Sequence, residues 1–440
     1  MKIVHLLGWY FPESVGGTEV YVDALCQRLR TAGIDVAVAA PDTSRGERWT
    51  YAHNGIEVFR YPIPKSPTRD EACHRIPVRG ADVFAHWLAE QHADVLHVHS
   101  LTTGVSIHEI AAAKRLGVRV IMTSHLPGQG YLCRAGELMR WGRVPCDGIV
   151  LAAKCAACNM TRIGVPQALA TICGSVPAPV SDVLGRLPGR AGTVLGMPAS
   201  VVEYRRLQRR LFELVDRFVV LNETARQMLI ADGSPADKLT LNRLGLSQRV
   251  APKPPPDRQP TRAPVRFAFV GRLHPTKGLT ALAAAVAAIP PSVRFSLTIC
   301  GPDGDALTRG YADHIRAELA GDRRVTFVDP RPAAEIPHLL AEADVLLVPS
   351  IWFENGPTIA LEAMAVGTPI IATAVGNLTE LVQDRANGRV VAPGDAEALA
   401  SAMTEAALDP AKTIDSWRRR ILPPRTMDEV TRDYLPLYAA

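Results

Sequence analysis

Two acidic residues, Glu354 and Glu362, lie in a segment whose other residues favour binding of a charged ligand. An apolar stretch of strand length ends near Pro349, and Pro357 suits the first turn of a helix that carries Glu362. The first amides of such a helix have no partner within it and, together with the helix dipole, attract phosphate. A carboxylate accepts hydrogen bonds from two neighbouring hydroxyls, as in a ribose or hexose. The pattern predicts two carboxylates that grip hydroxyls at the two ends of a phosphate-bearing ligand.

A less specific interpretation of the same acids is that one starts a helix, where the dipole favours it, and the other lies on a solvated surface. Glu362 is embedded in the apolar stretch 359–365, Ile-Ala-Leu-Glu-Ala-Met-Ala. A charged group in such surroundings is costly unless it has a partner. This cost favours a binding role for Glu362.

Two cations, Arg272 and Lys277, follow another predicted strand, Arg266–Val270, in the stretch Gly-Arg-Leu-His-Pro-Thr-Lys-Gly at 271–278. Arginine makes forked contacts with phosphate oxygens, and lysine acts as a point charge. The alternative is a pair of solvated surface cations. Their position at the end of a strand favours a diphosphate ligand.

Two further features lie at the ends of predicted strands in the first half of the chain. Gly16 and Gly17 separate the first strand from a helix, where backbone amides can face an anion, although a tight turn without a ligand is as good an interpretation. His125 directly follows the strand 119–124, and the alternative for it is a buried histidine of the core.

The elements that position these residues alternate between strands and helices almost throughout the chain. Continuous apolar strands that alternate with helices predict an α/β fold with parallel sheets covered on both faces, and ligands bind such sheets at the carboxyl ends of the strands. The chain of 440 residues is long enough for two domains. A proline-dense stretch divides it, so we predict the following segments: a Rossmann-like N-terminal domain 1–250 with an irregular cysteine-containing insertion at about 126–200, a linker 251–264, a C-terminal domain 265–415 and a C-terminal helix region 416–440.

Several of these motifs together resemble glycosyltransferase family 4, the retaining glycosyltransferases with a GT-B fold. The resemblance covers most of the chain and is weakest in 126–215. The motifs that carry it are the E-x7-E signature at Glu354 and Glu362, the Gly271–Gly278 loop, the turn at Gly16 and Gly17, the stretch Val375–Leu381 with Asn387 and Gly388, and Val219–Thr224, where the family often has serine in place of Asn222.

This resemblance implies that two Rossmann-like domains flank a cleft, that the C-terminal domain binds a nucleotide-sugar donor of UDP or GDP type, and that a C-terminal helix crosses back onto the N-terminal domain. The resemblance implies that Arg272 and Lys277 bind the leaving diphosphate, that Glu362 binds the ribose, and that Glu354 and His125 bind the donor sugar. It places Arg331 near the nucleobase. Further contacts with the donor are implied for Gly17, Gly271, Asn355, Gly356, Pro357 and Thr358. The expected catalytic set is Arg272, Lys277, Glu354 and His125.

The implied reaction is transfer of a sugar to a hydroxyl acceptor with retained configuration, in the biosynthesis of a polysaccharide, glycolipid or glycosylated metabolite. Cations stabilise the leaving group, and transfer is expected to need no cofactor or metal. One alternative is a nucleotide-sugar hydrolase or epimerase on the same fold. Another is a non-catalytic subunit that retains the nucleotide site.

Four of the eight cysteines cluster in the insertion: Cys133, Cys146, Cys155 and Cys158, with the spacing C-x12-C-x8-C-x2-C. This spacing suits a tetrathiolate site for a structural zinc, or an iron–sulfur cluster with the same ligands. Four free or buried thiols are an equally good interpretation. A disulfide framework is not expected in an intracellular chain of this size.

Composition limits the remaining functions. A net charge of +5 does not indicate nucleic-acid binding, and no apolar run approaches the length of a membrane span. The N-terminus enters a predicted strand directly, so we expect a cytoplasmic protein, with a peripheral position at the inner face of the membrane as an option. The basic run 205–210 could meet a lipid surface or a lipid-linked acceptor, although a solvated helix face is the stronger interpretation.

Overall fold

The computed structural model describes residues 1–14, 16–130, 132–247, 264–304 and 308–439. The predicted linker 251–264 lies outside these ranges except for Pro264. The chain divides into two compact units. The first unit comprises Met1–Trp141, Cys146–Ser247 and Met427–Ala440, and the second comprises Gly142–Pro145 and Gln248–Thr426.

An eight-stranded sheet forms the core of the first unit. All neighbouring strands are parallel except the pair β3 and β4. The inner strands are buried along almost their whole length because their apolar runs are covered on both faces. In sheet order the strands are β10 (Leu239–Leu241), β9 (Arg217–Val220), β6 (Arg119–Thr123), β5 (Val95–Val98), β1 (Lys2–Leu6), β2 (Asp35–Asp42), β4 (Ile56–Pro62) and β3 (Trp49–His53); β7 (Met139–Arg140) and β8 (Val144–Pro145) form a separate pair.

Helices connect these strands, as the alternating pattern predicts. The helices that precede residue 247 are α1 (Gly17–Thr31), α2 (Arg69–Ala72), α3 (Ala81–Gln91), α4 (Ile107–Arg115), α5 (Ala152–Arg162), α6 (Gln167–Gly174), α7 (Ala178–Leu184), α8 (Gly189–Leu195), α9 (Met197–Leu214) and α10 (Glu223–Ala231).

The insertion at 126–200 differs from its predicted irregular character, because helices α5 to α8 and the start of α9 occupy residues 152 onward. Prolines immediately precede α6, α7 and α8, at Pro166, Pro177 and Pro188. Proline restricts the residue before it and cannot continue a helix. The segment therefore folds as short helices, and helices of seven or eight residues give little periodic signal in a sequence.

A six-stranded parallel sheet forms the core of the second unit. In sheet order the strands are β13 (Val325–Val328), β12 (Phe295–Cys300), β11 (Val265–Val270), β14 (Val345–Val348), β15 (Ile370–Thr373) and β16 (Gly388–Val391). The helices are α11 (Leu279–Ala288), α12 (Tyr311–Leu319), α13 (Ile336–Glu342), α14 (Thr358–Ala365), α15 (Leu378–Leu381), α16 (Ala396–Leu408) and α17 (Pro410–Arg418). Alanine-rich faces of α11 and α16 pack with Phe267 and Phe269 in one buried core.

The last helix, α18 (Met427–Ala439), belongs to the first unit, as expected for a C-terminal helix that crosses back. Its Tyr434 is completely buried and its hydroxyl lies 2.8 Å from Thr123 Oγ1 and 3.0 Å from the Tyr21 hydroxyl. Tyr438 lies 2.9 Å from His97 Nδ1. The chain end is thus fastened to the polar side chains of the sheet.

Tyr434→Phe is expected to lower the free energy of unfolding by about 1–2 kcal/mol, because it removes a hydroxyl that two buried groups share. The midpoint of urea denaturation measures this change. Tyr311→Phe is the matched control, since the Tyr311 hydroxyl bonds to Thr280 in an exposed position. An equal shift in both variants would contradict the role of the buried network.

Candidate functional site

Two neighbouring strands of the second unit, β11 and β14, place most of the predicted residues at one edge of the sheet. Both run parallel, with Phe267 opposite Val345, so their carboxyl ends meet at the same edge. The loop after β11 carries Arg272 and Lys277, and the loop after β14 carries Glu354. The Ile351 amide donates to the Thr276 carbonyl at 2.9 Å and joins the two loops.

Lys277 and Glu354 form an ion pair at the centre of this edge. Lys277 Nζ lies 2.6 Å from Glu354 Oε1, and the side chains are 26% and 8% exposed. Ser350 Oγ donates to the same carboxylate oxygen at 2.6 Å, and Lys277 Nζ lies 5.7 Å from the centre of the Trp352 ring. Ser350 and Trp352 were not singled out from the sequence, because Ser350 meets Glu354 only in the folded loop and Trp352 meets Lys277 only when the two loops come together.

Close backbone approach fixes the position of this pair. Gly278, next to Lys277, has φ +74°, and a side chain there would place Cβ 1.8 Å from the Pro349 carbonyl. Gly376 has φ +53°, and its Cβ would lie 2.4 Å from the Glu354 carbonyl, which also accepts from the Asn377 amide at 2.7 Å. Only glycine fits these contacts, so the loops that hold the pair have little freedom.

The Arg272 side chain is exposed and has no ion-pair partner within the described residues. Arg266, Arg316 and Arg324 pair with Asp344, Asp303 and Asp322, respectively. Arg272 directly follows Gly271 at the end of β11. Its guanidinium is available for an anion from outside the protein.

The N-terminus of α14 provides backbone donors at the same edge. Pro357 precedes the helix and gives no side-chain cap, and the Ala360 amide bonds back to the Pro357 carbonyl at 3.0 Å. In the described part of the chain, the amides of Thr358 and Ile359 make no hydrogen bond to another backbone group. Free amides at a helix start favour a phosphate or another anion. Asn355 is buried, and Gly356 completes the loop.

Glu362 lies on α14 and is mostly buried. Burial raises the pKa of its carboxyl group from the usual 4.5 to about 7. No hydrogen bond or ion pair to this carboxylate occurs among the residues that the structure describes. A partly buried carboxylate without compensation is a candidate for ligand binding, because ligand hydroxyls would supply the missing donors.

Arg331 lies at the same edge but apart from the cluster. It follows β13, which is two strands away from β11. Arg331 Nη1 lies 3.4 Å from Glu335 Oε2, and both side chains are about half exposed. An exposed pair of this kind has little effect on stability, so Arg331 can exchange its partner for a ligand.

Gly17 and His125 are the predicted site residues of the first unit. Gly17 is the first residue of α1 and has open space where a side chain would begin. His125 follows β6 and is 8% exposed, with its ring 4.8 Å from that of Tyr21. Burial lowers the pKa of His125 to about 3, so its imidazole is neutral at physiological pH and can act as a hydrogen-bonding group.

His125 ends a chain of buried histidines that sequence analysis did not identify. His125 Nε2 lies 3.1 Å from His99 Nδ1, and the two other ring nitrogens that continue the chain, His99 Nε2 and His5 Nδ1, are 2.9 Å apart. Within the described residues, His5, His97 and His99 form a group whose ligand atoms lie within 4.8 Å of one another. Burial lowers the pKa of each of them, which keeps the group neutral. The alternation His-Val-His at 97–99 was the available signal in the sequence.

The basic run on α9 is largely neutralised by neighbouring acids. Arg205 pairs with the buried Asp232, Arg206 pairs with Glu203 at 3.4 Å, and Arg210 pairs with Glu213 at 2.7 Å. These pairs favour the interpretation of a solvated helix face. In the described part of the chain, no helix combines the length and the apolar character that crossing a bilayer requires.

Comparison with known families decides the identity of the chain. The model "Glycosyl transferase 4-like domain" matches residues 16–245, more than half of the chain, and the model "Glycosyl transferases group 1" matches residues 257–421. The chain belongs to glycosyltransferase family 4. Its two sheets, parallel except for the β3–β4 pair, are the cores of the Rossmann-like units of the GT-B fold.

Curated relatives of this family 4 glycosyltransferase include D-inositol 3-phosphate glycosyltransferases from several bacteria. The one from Corynebacterium glutamicum is 41% identical over 128 residues, which cover 28% of this chain and 30% of that protein. The one from Mycolicibacterium vanbaalenii is 32% identical over 242 residues, which cover 49% of this chain and 53% of that protein. The chain therefore matches between about a third and about half of the length of these relatives.

Solved structures resemble this glycosyltransferase over its whole length. Sucrose-phosphate synthase from Thermosynechococcus elongatus has a TM-score of 0.65 at 21% identity and is covered to 98% by the complete chain. HepE from Anabaena, in complex with UDP and glucose, has a TM-score of 0.64 at 15% identity, with both chains covered completely. At this identity the likeness establishes the fold.

Proposed function

We propose that the protein transfers a sugar, with retention of its anomeric configuration, from a nucleoside-diphosphate sugar to a hydroxyl group of an acceptor. The observation that carries this proposal is a set of groups at one sheet edge: the ion pair of Lys277 and Glu354, the guanidinium of Arg272 and the start of α14. Arg272 has no ion-pair partner among the described residues. Cations and free amides suit a diphosphate, and carboxylates suit sugar hydroxyls. The groups that suit a diphosphate and those that suit sugar hydroxyls lie at the same edge of the sheet.

The donor would span this edge from Glu362 to Glu354. Glu362 accepts from the ribose hydroxyls, the start of α14 with Arg272 and Lys277 binds the diphosphate, and Glu354 accepts from the sugar. HepE, which has a similar fold, binds UDP and glucose, and this supports a UDP-type donor as the first to test. The proposed role of His125, as a neutral hydrogen-bonding partner of the donor sugar, stays a prediction.

In the proposed step, the bond between the anomeric carbon and the β-phosphate oxygen breaks, and its electron pair goes to the phosphate. The acceptor oxygen bonds to the anomeric carbon from the same face, and its proton passes to the leaving phosphate. Arg272, Lys277 and the α14 dipole stabilise the charge that develops on that phosphate, which lowers the barrier. These positive charges and the helix dipole are in place before the reaction, so they would stabilise the leaving phosphate without rearrangement of the protein.

A thermal-shift screen with UDP, GDP and ADP, and then with their sugars, tests the donor. Candidate acceptors are D-inositol 3-phosphate, suggested by the curated relatives, and a polyprenyl-linked sugar. NMR of the product then gives the anomeric configuration. Inversion of the anomeric configuration would refute the proposed mechanism. Release of free sugar at the same rate with and without acceptor would show that the protein hydrolyses the donor and does not transfer its sugar.

The raised pKa of Glu362 predicts that donor binding depends on pH. Its carboxyl group is protonated below a pKa of about 7, and the ionised form accepts hydroxyl donors better. Affinity for the donor should therefore rise by up to about tenfold between pH 6 and pH 8, since one proton is released on binding. Calorimetric titration with an intact nucleotide sugar measures this, because its diphosphate has no group that titrates in this range.

Glu362→Gln is the matched variant for this experiment. It keeps the size of the side chain but cannot ionise, so we expect weaker binding that does not change with pH. The same raised pKa implies that wild-type Glu362 favours folding most below pH 4.5 and that this contribution is lost as the pH rises through about 7. An unchanged pH profile in the variant would remove Glu362 from the donor site.

A further inference from the structure

Four cysteines of the first unit surround one cavity that has no role in the proposed transfer. Cys133 and Cys146 come from the loop between β6 and α5, and Cys155 and Cys158 come from α5 itself. All four line a single cavity of about 30 Å³, enough for a water molecule or an ion. The fold has thus gathered thiols that are up to 25 positions apart in the sequence.

Backbone hydrogen bonds fix the segments that carry these cysteines. Cys155 and Cys158 are three residues apart on a helix and so share a face. The Gly136 amide bonds to the Cys133 carbonyl at 2.9 Å in a tight turn, and the Cys146 amide bonds to the Leu138 carbonyl at 2.8 Å. Cys133 interacts electrostatically with each of the other three cysteines.

Backbone amides contact two of the sulfurs, and burial raises the pKa of the thiols of Cys146, Cys155 and Cys158. The Trp141 amide donates to Cys158 Sγ at 3.3 Å, and the Gly148 amide bonds to the Cys146 thiol. Such donors to ligand atoms orient and stabilise them in metal sites. Arg134, Arg140 and Lys154 line the same cavity, and among its described lining residues there is no acid. Lys154 is paired with Asp147 at 2.6 Å, and the Cys146 thiol donates to the same carboxylate at 3.7 Å. Arg134 and Arg140 would therefore offset part of the negative charge of four thiolates around a divalent ion.

The helical segment that carries the cysteines has a small core of its own. That core consists mainly of short side chains, namely Ala156, Ala157, Met160, Ala170, Met197 and Val201. A core of this size buries little apolar surface, so a metal that joins the loop to α5 would add stability that packing does not supply.

From these observations we propose that Cys133, Cys146, Cys155 and Cys158 bind one structural Zn²⁺. Zinc–sulfur bonds of about 2.3 Å place tetrahedral sulfurs about 3.8 Å apart. Among the described residues, no three of these sulfurs lie within 4.8 Å of one another. Binding would therefore require the four sulfurs to approach one another and would fix residues 132–146 against α5. Zinc would thus order the loop at the carboxyl edge of the first sheet.

Elemental analysis of the full-length protein, expressed without a polyhistidine tag, purified without oxygen and dialysed against a weak chelator, tests the proposal. We expect one zinc per chain in the wild type and its loss in Cys155→Ser/Cys158→Ser. Cys173→Ser is the matched control, because Cys173 packs on the same small core but does not line the cavity, and it should keep its zinc. Iron with acid-labile sulfide, or no bound metal, would overturn the proposal.

Hydrogen exchange keeps the test informative if the double variant folds poorly. Removal of zinc from the wild type by a strong chelator should speed amide exchange in residues 132–146 and in α5, while β1 and β5 remain protected. Addition of zinc should reverse the change. Equal exchange with and without zinc would show that no ion orders this loop.

Discussion

Arg272→Ala is expected to lower kcat/KM by about 10²- to 10³-fold and to leave the fold intact. The guanidinium is assigned to the leaving diphosphate, and removal of one donor that stabilises developing charge typically costs about 3–4 kcal/mol in the transition state. Because Arg272 is exposed and has no ion pair within the described residues, the substitution leaves no buried acid without a partner. Steady-state kinetics with the donor identified by the thermal-shift screen measures the loss, and the melting temperature reports the fold.

The matched control for this prediction is Arg323→Ala. Arg323 is also an exposed arginine of the second unit, but it precedes β13 and so lies toward the amino ends of the strands. It should keep wild-type kinetics. Arg272→Lys separates charge from forked geometry, and we expect it to recover only part of the activity, since a lysine contacts phosphate as a point charge. Near-normal turnover of Arg272→Ala would remove this residue from the site.

Much of the fold follows from local pattern in the sequence. The strand β14 is a continuous apolar run, and a run of this kind is typical of a parallel sheet that is covered on both faces. The position of Arg272, Lys277 and Glu354 at strand ends then places them at one edge, because parallel strands share the direction of their carboxyl ends. The pattern was less informative at 152–195, where short helices between prolines leave no period to detect.

Contacts that form only in the folded chain account for what the sequence did not predict. Ser350 is one of many serines until the loop after β14 folds and brings its hydroxyl 2.6 Å from Glu354 Oε1. The histidine chain depends on register, since His5 and His97 are opposite each other on neighbouring strands. Each strand alone shows a histidine among apolar residues, which is also the pattern of an ordinary core histidine.

The ion pair of Lys277 and Glu354 supports the second large prediction, in which the two partners affect different parts of the donor. Lys277→Met should weaken binding of the free nucleotide diphosphate and lower kcat/KM by about 10²- to 10³-fold, because a cation on the leaving group is lost. Glu354→Gln should lower kcat/KM by about 10²-fold but leave nucleotide binding nearly unchanged, since Glu354 is assigned to the sugar. Calorimetry with the nucleotide and kinetics with its sugar distinguish the two effects.

Stability must be measured in both variants, because each removes one member of a largely buried pair. Glutamine at position 354 can still accept hydrogen bonds from Ser350 and Lys277. Lys277→Met instead leaves Glu354 Oε1 with Ser350 as its remaining partner. Glu354→Gln should therefore lower the free energy of unfolding less than Lys277→Met. Lys412→Met, an exposed lysine on α17, controls for loss of charge alone. The double variant should lose less activity than the product of the single losses, because residues in contact are not independent. Equal weakening of nucleotide binding by Lys277→Met and Glu354→Gln would instead mean that the pair binds the diphosphate as one unit and that a different residue grips the sugar.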